Sequence, residues 1–472
     1  QQIDTPEHVF ETGMTRSAAI AVGIAAVALV NELLAAPDSH PQLTSQLAAL
    51  HRRVRDYAKT VALDAATDAV AAAGLLRDIA ALRPGMASLA TESASGSIRS
   101  AAARSTAVAL VAEVYAARAL NAATADQTSA AVASQELQRR DAEVHEGLAA
   151  LNANARPLRI WRTPLYRSQQ IAVAAGIRAA LCLLLPSALF VLAGWPASSA
   201  SLSLVVIVIG LGATKPDPKA FTAMAFIASP IAAALAGTLE FLILDGVNEF
   251  VLLALALAPF MIGATVLTTR PNPLLSSLGS LNLIFILAIF APSNPPAYNP
   301  QAYLFTALFL CVATGLLLMA QIIVPAESNE RRQRWLMASA HRDFKHLLSG
   351  RDQLLAPEEA MYRDSTRIGQ ITGADNAILA EALSYFDSAA AIRLCRVSLV
   401  RLAGTSLSQL AAEAEKALAA QDTQRLREIA LMLNDVASAE SVLAKEISGE
   451  LAVAAVVIDA TKHSTAHLEE IV

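Results

Sequence analysis

Arg178 stands in the run IAVAAGIRAALCLLLPSALF, from Ile171 to Phe190, which carries no other charge. Counted from Ile171, it lies about 10 Å along a helix. A charge that deep in hydrocarbon costs at least ~2.5 kcal/mol, so such residues face a water-filled path or a partner. A guanidinium can hold a carboxylate by two parallel hydrogen bonds, which makes Arg178 a candidate for binding an anionic substrate. The competing reading is a side chain that snorkels to the headgroups. Asn282, in SLGSLNLIFIL, is the second candidate for the substrate path. Its amide needs a partner in hydrocarbon, either across a helix interface or in a pore. Glu240, in LAGTLEFLIL, is the proton-coupling candidate, against the alternative of a solvated acidic loop shared with Asp245 and Glu249. Arg16 opens a separate apolar run and needs almost no reach to snorkel.

Other chemistries find no residues. The GLGATK stretch lacks the glycine spacing and the Gly-Lys-Ser/Thr ending of a phosphate loop, so ATP is not an energy source read here. The eight His lie outside the apolar runs, without an acidic or nucleophilic partner at a recognisable spacing. Cys182, Cys311 and Cys395 stand alone and read as small hydrophobes. The chain is therefore expected to be no enzyme, with no cofactor and no metal. A net charge of −5 gives no case for nucleic acid.

The elements that must position these residues are membrane spans. The chain has 472 residues, 55% hydrophobic and 16% charged, against ~25% charged in an ordinary soluble domain. Only eight charged side chains lie between Ile171 and Val324: Arg178, Lys215, Asp217, Lys219, Glu240, Asp245, Glu249 and Arg270. A span needs ~20 mainly apolar residues. Six are expected, near 171–193, 198–214, 219–243, 250–269, 273–292 and 302–324, with a seventh near 14–36. Pro186, Pro230 and Pro259 are interior to spans, where each frees a carbonyl and permits a kink.

Orientation follows from basic residues at alternate connections. Arg156, Arg159, Arg162 and Arg167 precede the block, Lys215 and Lys219 sit in the second connection, Arg270 in the fourth, and Arg331, Arg332 and Arg334 after the last span. The first, third and fifth connections have no Lys or Arg. Both polar segments are thus expected in the cytoplasm. They are rich in Ala and Leu with apolar residues at three- and four-residue spacing, the pattern of amphipathic helices. The expected fold is all-α: a last span of a first membrane repeat at 1–37, a helical domain at 38–165, six spans at 166–325 and a second helical domain at 326–472.

This chain resembles the fusaric acid resistance (FUSC) family, which includes the aromatic acid exporters of bacterial inner membranes. The resemblance rests on RSQQIAVAAGIRAALCLLLPSALFVLAGWP, on GLGATKPDPKAF, on the RPNP before the fifth span and on MYRDSTRIGQI, with a helical domain after each membrane block. It departs where an acidic residue before the first span of the block is Ser168 or Gln169, and where a Trp is Phe190. What the resemblance implies is a multi-pass inner-membrane protein exporting aromatic or related organic carboxylic acids, coupled to the proton gradient, in some members with a periplasmic adaptor protein. Members usually carry five further spans before the equivalent of Val9-Phe10. A six-span block without that sister repeat would favour a homo-oligomer. A passive organic-anion channel, or a membrane scaffold binding proteins through its helical domains, stays open beside the exporter.

Overall fold

The computed structural model describes residues 9–34, 41–63, 69–92, 96–195, 198–213, 217–245, 250–290, 298–350, 355–436 and 440–469. Lys215, Glu249, the boundary at Pro37 and most of the fifth connection lie outside the described residues. Among the described residues the structure is helical, with no strand. In chain order the helices are α1 (Val9–Leu34), α2 (Pro41–Leu63), α3 (Ala69–Ala81), α4 (Arg83–Glu92), α5 (Gly96–Ala123), α6 (Gln127–Asn152), α7 (Gln169–Leu192), α8 (Ser198–Gly212) and α9 (Pro218–Thr238). A π-helical turn, Leu239–Ile243, extends α9. Then come α10 (Phe250–Thr268), α11 (Pro273–Phe290), α12 (Pro300–Ile323), α13 (Asn329–Leu348), α14 (Pro357–Gly369), α15 (Asn376–Ala403), α16 (Ser408–Ala420), α17 (Thr423–Asn434) and α18 (Ser441–Glu469). The chain divides into two compact units: Gln1–Ile20 with Gln169–Glu327, and Ala21–Ser168 with Ser328–Val472.

The first unit holds the apolar helices α7 to α12. Local chemistry fixes where two of them begin. Asp217 accepts the N–H groups of Lys219 and Ala220 at 3.0 Å, with Pro218 at the first helical position of α9. Asn299 accepts those of Gln301 and Ala302 at 3.1 Å, with Pro300 starting α12. A side-chain oxygen ahead of a proline satisfies orphan donors where proline itself has none to lose. Among the described residues, four helices are long and apolar enough to cross a membrane: Gln169–Leu192, Pro218–Ile243, Val251–Thr268 and Pro300–Ile323. The second and fifth expected spans are shorter helices. At 15 and 18 residues, α8 and α11 measure roughly 22 and 27 Å, against a hydrocarbon core of ~30 Å. Pro273 limits α11 at its start, because no helix runs easily through the Arg-Pro-Asn-Pro connection.

Packing in this unit depends on small residues. Ala225, Ala228, Ala232 and Ala236 make a buried stripe on α9, in one core with Leu310, Ala313, Leu317 and Ala320 of α12. Without a hydrophobic drive between helices in lipid, close backbone approach is what holds them. Gly279 of α11 is the tightest case: a Cβ there would lie 2.6 Å from the Ala264 carbonyl oxygen of α10. Large apolar side chains on other faces stay exposed, among them Val173, Ile177 and Leu184 of α7 and Val251, Leu255 and Ile262 of α10. Such an apolar exterior fits a bilayer rather than water.

The second unit gathers α2–α6 and α13–α18, so the helices before and after the span block form one body. A hairpin of α5 and α6 is its centre, turned at Asp126, whose carboxylate accepts from the N–H groups of Thr128 and Ser129. Val108, Leu110, Val111 and Val114 of α5 are fully buried. Buried ion pairs tie the two sequence halves together. Arg118 of α5 donates to both carboxylate oxygens of Asp387 on α15, at 2.6 to 3.1 Å. Arg140 of α6, 1% exposed, reaches Glu136 and Glu143 on its own helix and Glu358 of α14 at 3.1 Å. Asp364 of α14 accepts from Arg393 of α15 at 2.7 Å. Burial alone would raise the Asp364 pKa, but Arg393, Arg367 and Arg363 outweigh it and hold the carboxyl below its ordinary value.

Breaking such a pair on one side leaves a bare buried charge, which costs about 3–5 kcal/mol. Arg118→Leu is therefore expected to lower the unfolding midpoint markedly, whereas Arg118→Leu combined with Asp387→Leu should recover most of the loss. Denaturant unfolding of both variants in detergent checks this. Equal destabilisation by the single and double replacements would contradict it.

Candidate functional site

A polar seam crosses three helices of the membrane unit. Arg178 of α7 donates from Nε to the carbonyl of Val324, the residue that caps α12, at 3.1 Å. Its Nη2 donates to Gln321 Oε1 at 3.2 Å. Gln321 in turn donates from Nε2 to Thr222 Oγ1 of α9 at 2.7 Å, and Thr222 donates to the Pro218 carbonyl at 2.9 Å. Gln321 and Thr222 are buried while Arg178 is half-buried. The carbonyl end of a helix carries partial negative charge, so a cation placed there is stabilised. Two of the five guanidinium donors are engaged, and Nη1 makes no hydrogen bond among the described residues.

This register changes the meaning of depth at Arg178. Measured along α7 it is well inside the helix. Measured against its neighbours it is level with the last turn of α12 and the first turn of α9. Gln321 and Thr222 were not singled out from sequence, although a Gln near the end of an otherwise apolar run was a visible signal.

Further along, the proline in α9 is mended by a side chain. Pro230 has no N–H to give the Phe226 carbonyl, and the Ser229 hydroxyl donates to it instead, at 3.0 Å. Ser229 Oγ also meets Thr314 Oγ1 of α12 at 3.0 Å, both groups being fully buried. Asn282 is buried at 4% exposure and donates to the Leu278 carbonyl of its own helix at 2.9 Å. Its Oδ1 is buried with no partner among the described residues.

Glu240 sits in the π-helical turn and is also buried, at 8% exposure. Such turns widen the helix by one residue and recur at functional sites. In the α-helical turn before it, Tyr303 of α12 donates to the Ala233 carbonyl, and Thr238 back-bonds to that of Ala234 at 2.9 Å. Gly237 lets the tyrosine in, since a Cβ there would stand 2.9 Å from its hydroxyl. Phe241 meets the Tyr303 ring edge-on at 5.1 Å. At the same end Tyr298 donates to the Leu244 carbonyl at 2.5 Å. Thr222 and Glu240 are eighteen residues apart along α9, roughly 27 Å. Arg178 and Glu240 therefore belong to opposite ends of the unit, and among the described residues neither shares a hydrogen bond with Asn282.

Comparison with known proteins adds the lineage. The family model described as the fusaric acid resistance protein family matches residues 1–122 and 100–461. No curated protein and no solved structure matches the chain. An apolar bundle with a polar seam, matched over nearly its whole length, thus places this chain in the fusaric acid resistance protein family, whose members are associated with transport across membranes.

Proposed function

We propose that the chain is a secondary exporter of aromatic or related organic carboxylic acids, set in a bacterial inner membrane with its helical unit on the cytoplasmic side. The observation that carries the reading is the Arg178–Gln321–Thr222 seam, a cation held between α7, α9 and α12 with donors to spare. The α12 terminus fixes the guanidinium, and its free Nη1 edge offers an organic carboxylate a charged hydrogen bond. Gln321 and Thr222 keep the seam polar where the surrounding helices are apolar. Phe190 of α7, Trp195 just beyond its end and Phe309 of α12 cluster with ring centroids 5.1 to 6.1 Å apart, but Phe190 is fully buried and lies roughly 18 Å along α7 from Arg178, so the cluster packs the two helices rather than lining the seam. Glu240, at the opposite end of α9, is the residue we assign to proton coupling. Periplasmic adaptor binding and self-association belong to this reading as partners, together with the bilayer and the organic acid.

A charged hydrogen-bonded contact contributes roughly 1.5–3 kcal/mol, a ten- to hundredfold change in affinity. Arg178→Ala should weaken efflux of fusaric acid and similar aromatic carboxylates by that order. Arg178→Lys keeps a cation at the α12 terminus but loses the planar fork, so it should retain stability and recover only part of the transport. Efflux at matched expression, with a melting curve for each variant, separates recognition from helix capping. Lys indistinguishable from Arg in efflux would remove the binding role.

Orientation is tested by cysteine placement. In a background without Cys182, Cys311 and Cys395, Asn299→Cys should react with an impermeant maleimide in intact cells, and Asn272→Cys only after lysis. The reverse pattern would invert the topology.

A further inference from the structure

Three helices of the helical unit, α2, α5 and α6, converge on a cluster that transport leaves unused. Asp141 and His145 stand four residues apart on α6 and share a face. From α2, His51 brings Nε2 to 2.8 Å from Asp141 Oδ1. Its ring lies edge-on to that of His145, with centroids 4.7 Å apart. His145 Nδ1 is 3.5 Å from Asp141 Oδ2 and 2.9 Å from the Asp141 carbonyl oxygen. One ligand atom from each of the three residues falls within 4.8 Å of the others.

The second observation comes from α5. Glu113 is 1% exposed and sets Oε2 3.7 Å from His51 Nε2. That oxygen is buried with no hydrogen-bond partner among the described residues. A buried carboxylate oxygen without a donor is costly, and this one points at the His51 nitrogen that also meets Asp141. We propose that His51, Asp141, His145 and Glu113 form a binding site for a divalent transition ion of the zinc class.

The donor set suits such an ion. Two imidazole nitrogens and two carboxylate oxygens match the borderline preference and four-fold geometry of zinc. A dication would neutralise both carboxylates and give the orphaned Glu113 oxygen its partner. The 2.8 Å contact between His51 and Asp141 opens only slightly, because ligands bound at about 2.0–2.1 Å in a tetrahedron sit roughly 3.3 Å apart. Arg55 is the competing cation, with Nε 3.5 Å from Asp141 Oδ1. Its side chain is 49% exposed and is free to turn outward. The bound ion would pin α2 to the α5–α6 hairpin. From sequence no His was assigned an acidic partner: the i, i+4 spacing of Asp141 and His145 was passed over, and His51 stands 90 residues before Asp141.

The test titrates the whole chain, stripped by a chelator and held in detergent, with Zn²⁺ alone by calorimetry. One ion per chain is expected, with His51→Gln and His145→Gln each weakening binding at least ~10-fold. His346→Gln, exposed on α13, should bind as the wild type does. Zinc should raise the unfolding temperature of the wild type and not of His51→Gln. If a variant loses its helical circular dichroism, X-ray absorption of the wild-type complex decides. Two imidazoles with oxygen ligands at about 2.0–2.1 Å support the site. Sulfur ligation, no stoichiometric zinc, or wild-type affinity in a folded His51→Gln overturns it.

Discussion

Hydrocarbon offers no hydrogen bonds, so each polar group in the membrane unit must find its partner within the protein. That constraint orders most of the bundle, the buried Asn282 Oδ1 standing outside it among the described residues. It explains why Ser229 sits beside Pro230, where a hydroxyl replaces the donor that proline lacks, and why the same hydroxyl is shared with Thr314. It also explains why the Arg178 guanidinium lies at the carbonyl end of α12 rather than against lipid. The helices can approach closely because their facing residues are small, and the polar side chains between them then have short distances to close. The alanine stripe on α9 and the seam at its first turn are two consequences of one requirement.

The helical unit obeys a different rule. There the charges are many, and several are buried in pairs across the long sequence gap between α5–α6 and α14–α15. Buried pairs are poor sources of stability compared with apolar packing, but they penalise any arrangement that leaves a charge unmatched. Arg118–Asp387 and Arg140–Glu358 thus specify which helix faces which, in a unit where alanine is the commonest buried apolar residue and offers little shape of its own to distinguish one docking from another.

Composition and proline positions made the all-α architecture and the apolar helices legible. The spans expected near 219–243 and 302–324 begin one and two residues earlier, at Pro218 and Pro300, where Asp217 and Asn299 cap them. The site was legible only as isolated residues. The position of Arg178 was counted along its own helix, whereas its surroundings depend on the register of α7 against α12, set by residues 143 positions away. Asn282 was read as needing a partner, and half its amide found one on its own helix, a local solution that spacing does not reveal. The π turn at Glu240 has no sequence signature, and the tyrosine that packs over Gly237 just before it comes from α12. The gathering of His51 and Glu113 on Asp141 likewise needs three helices in place before it exists.

Carboxylate export driven by protons, with Arg178 and Glu240 at opposite ends of one bundle, is the central claim. The most direct measurement is flux of an aromatic carboxylate into proteoliposomes with the membrane potential clamped at zero and a pH gradient imposed across the bilayer. Accumulation that follows the size of the pH gradient, and that is lost in Glu240→Gln, is the expected result. Flux that ignores the gradient and responds only to an applied voltage would contradict it and make the protein a channel.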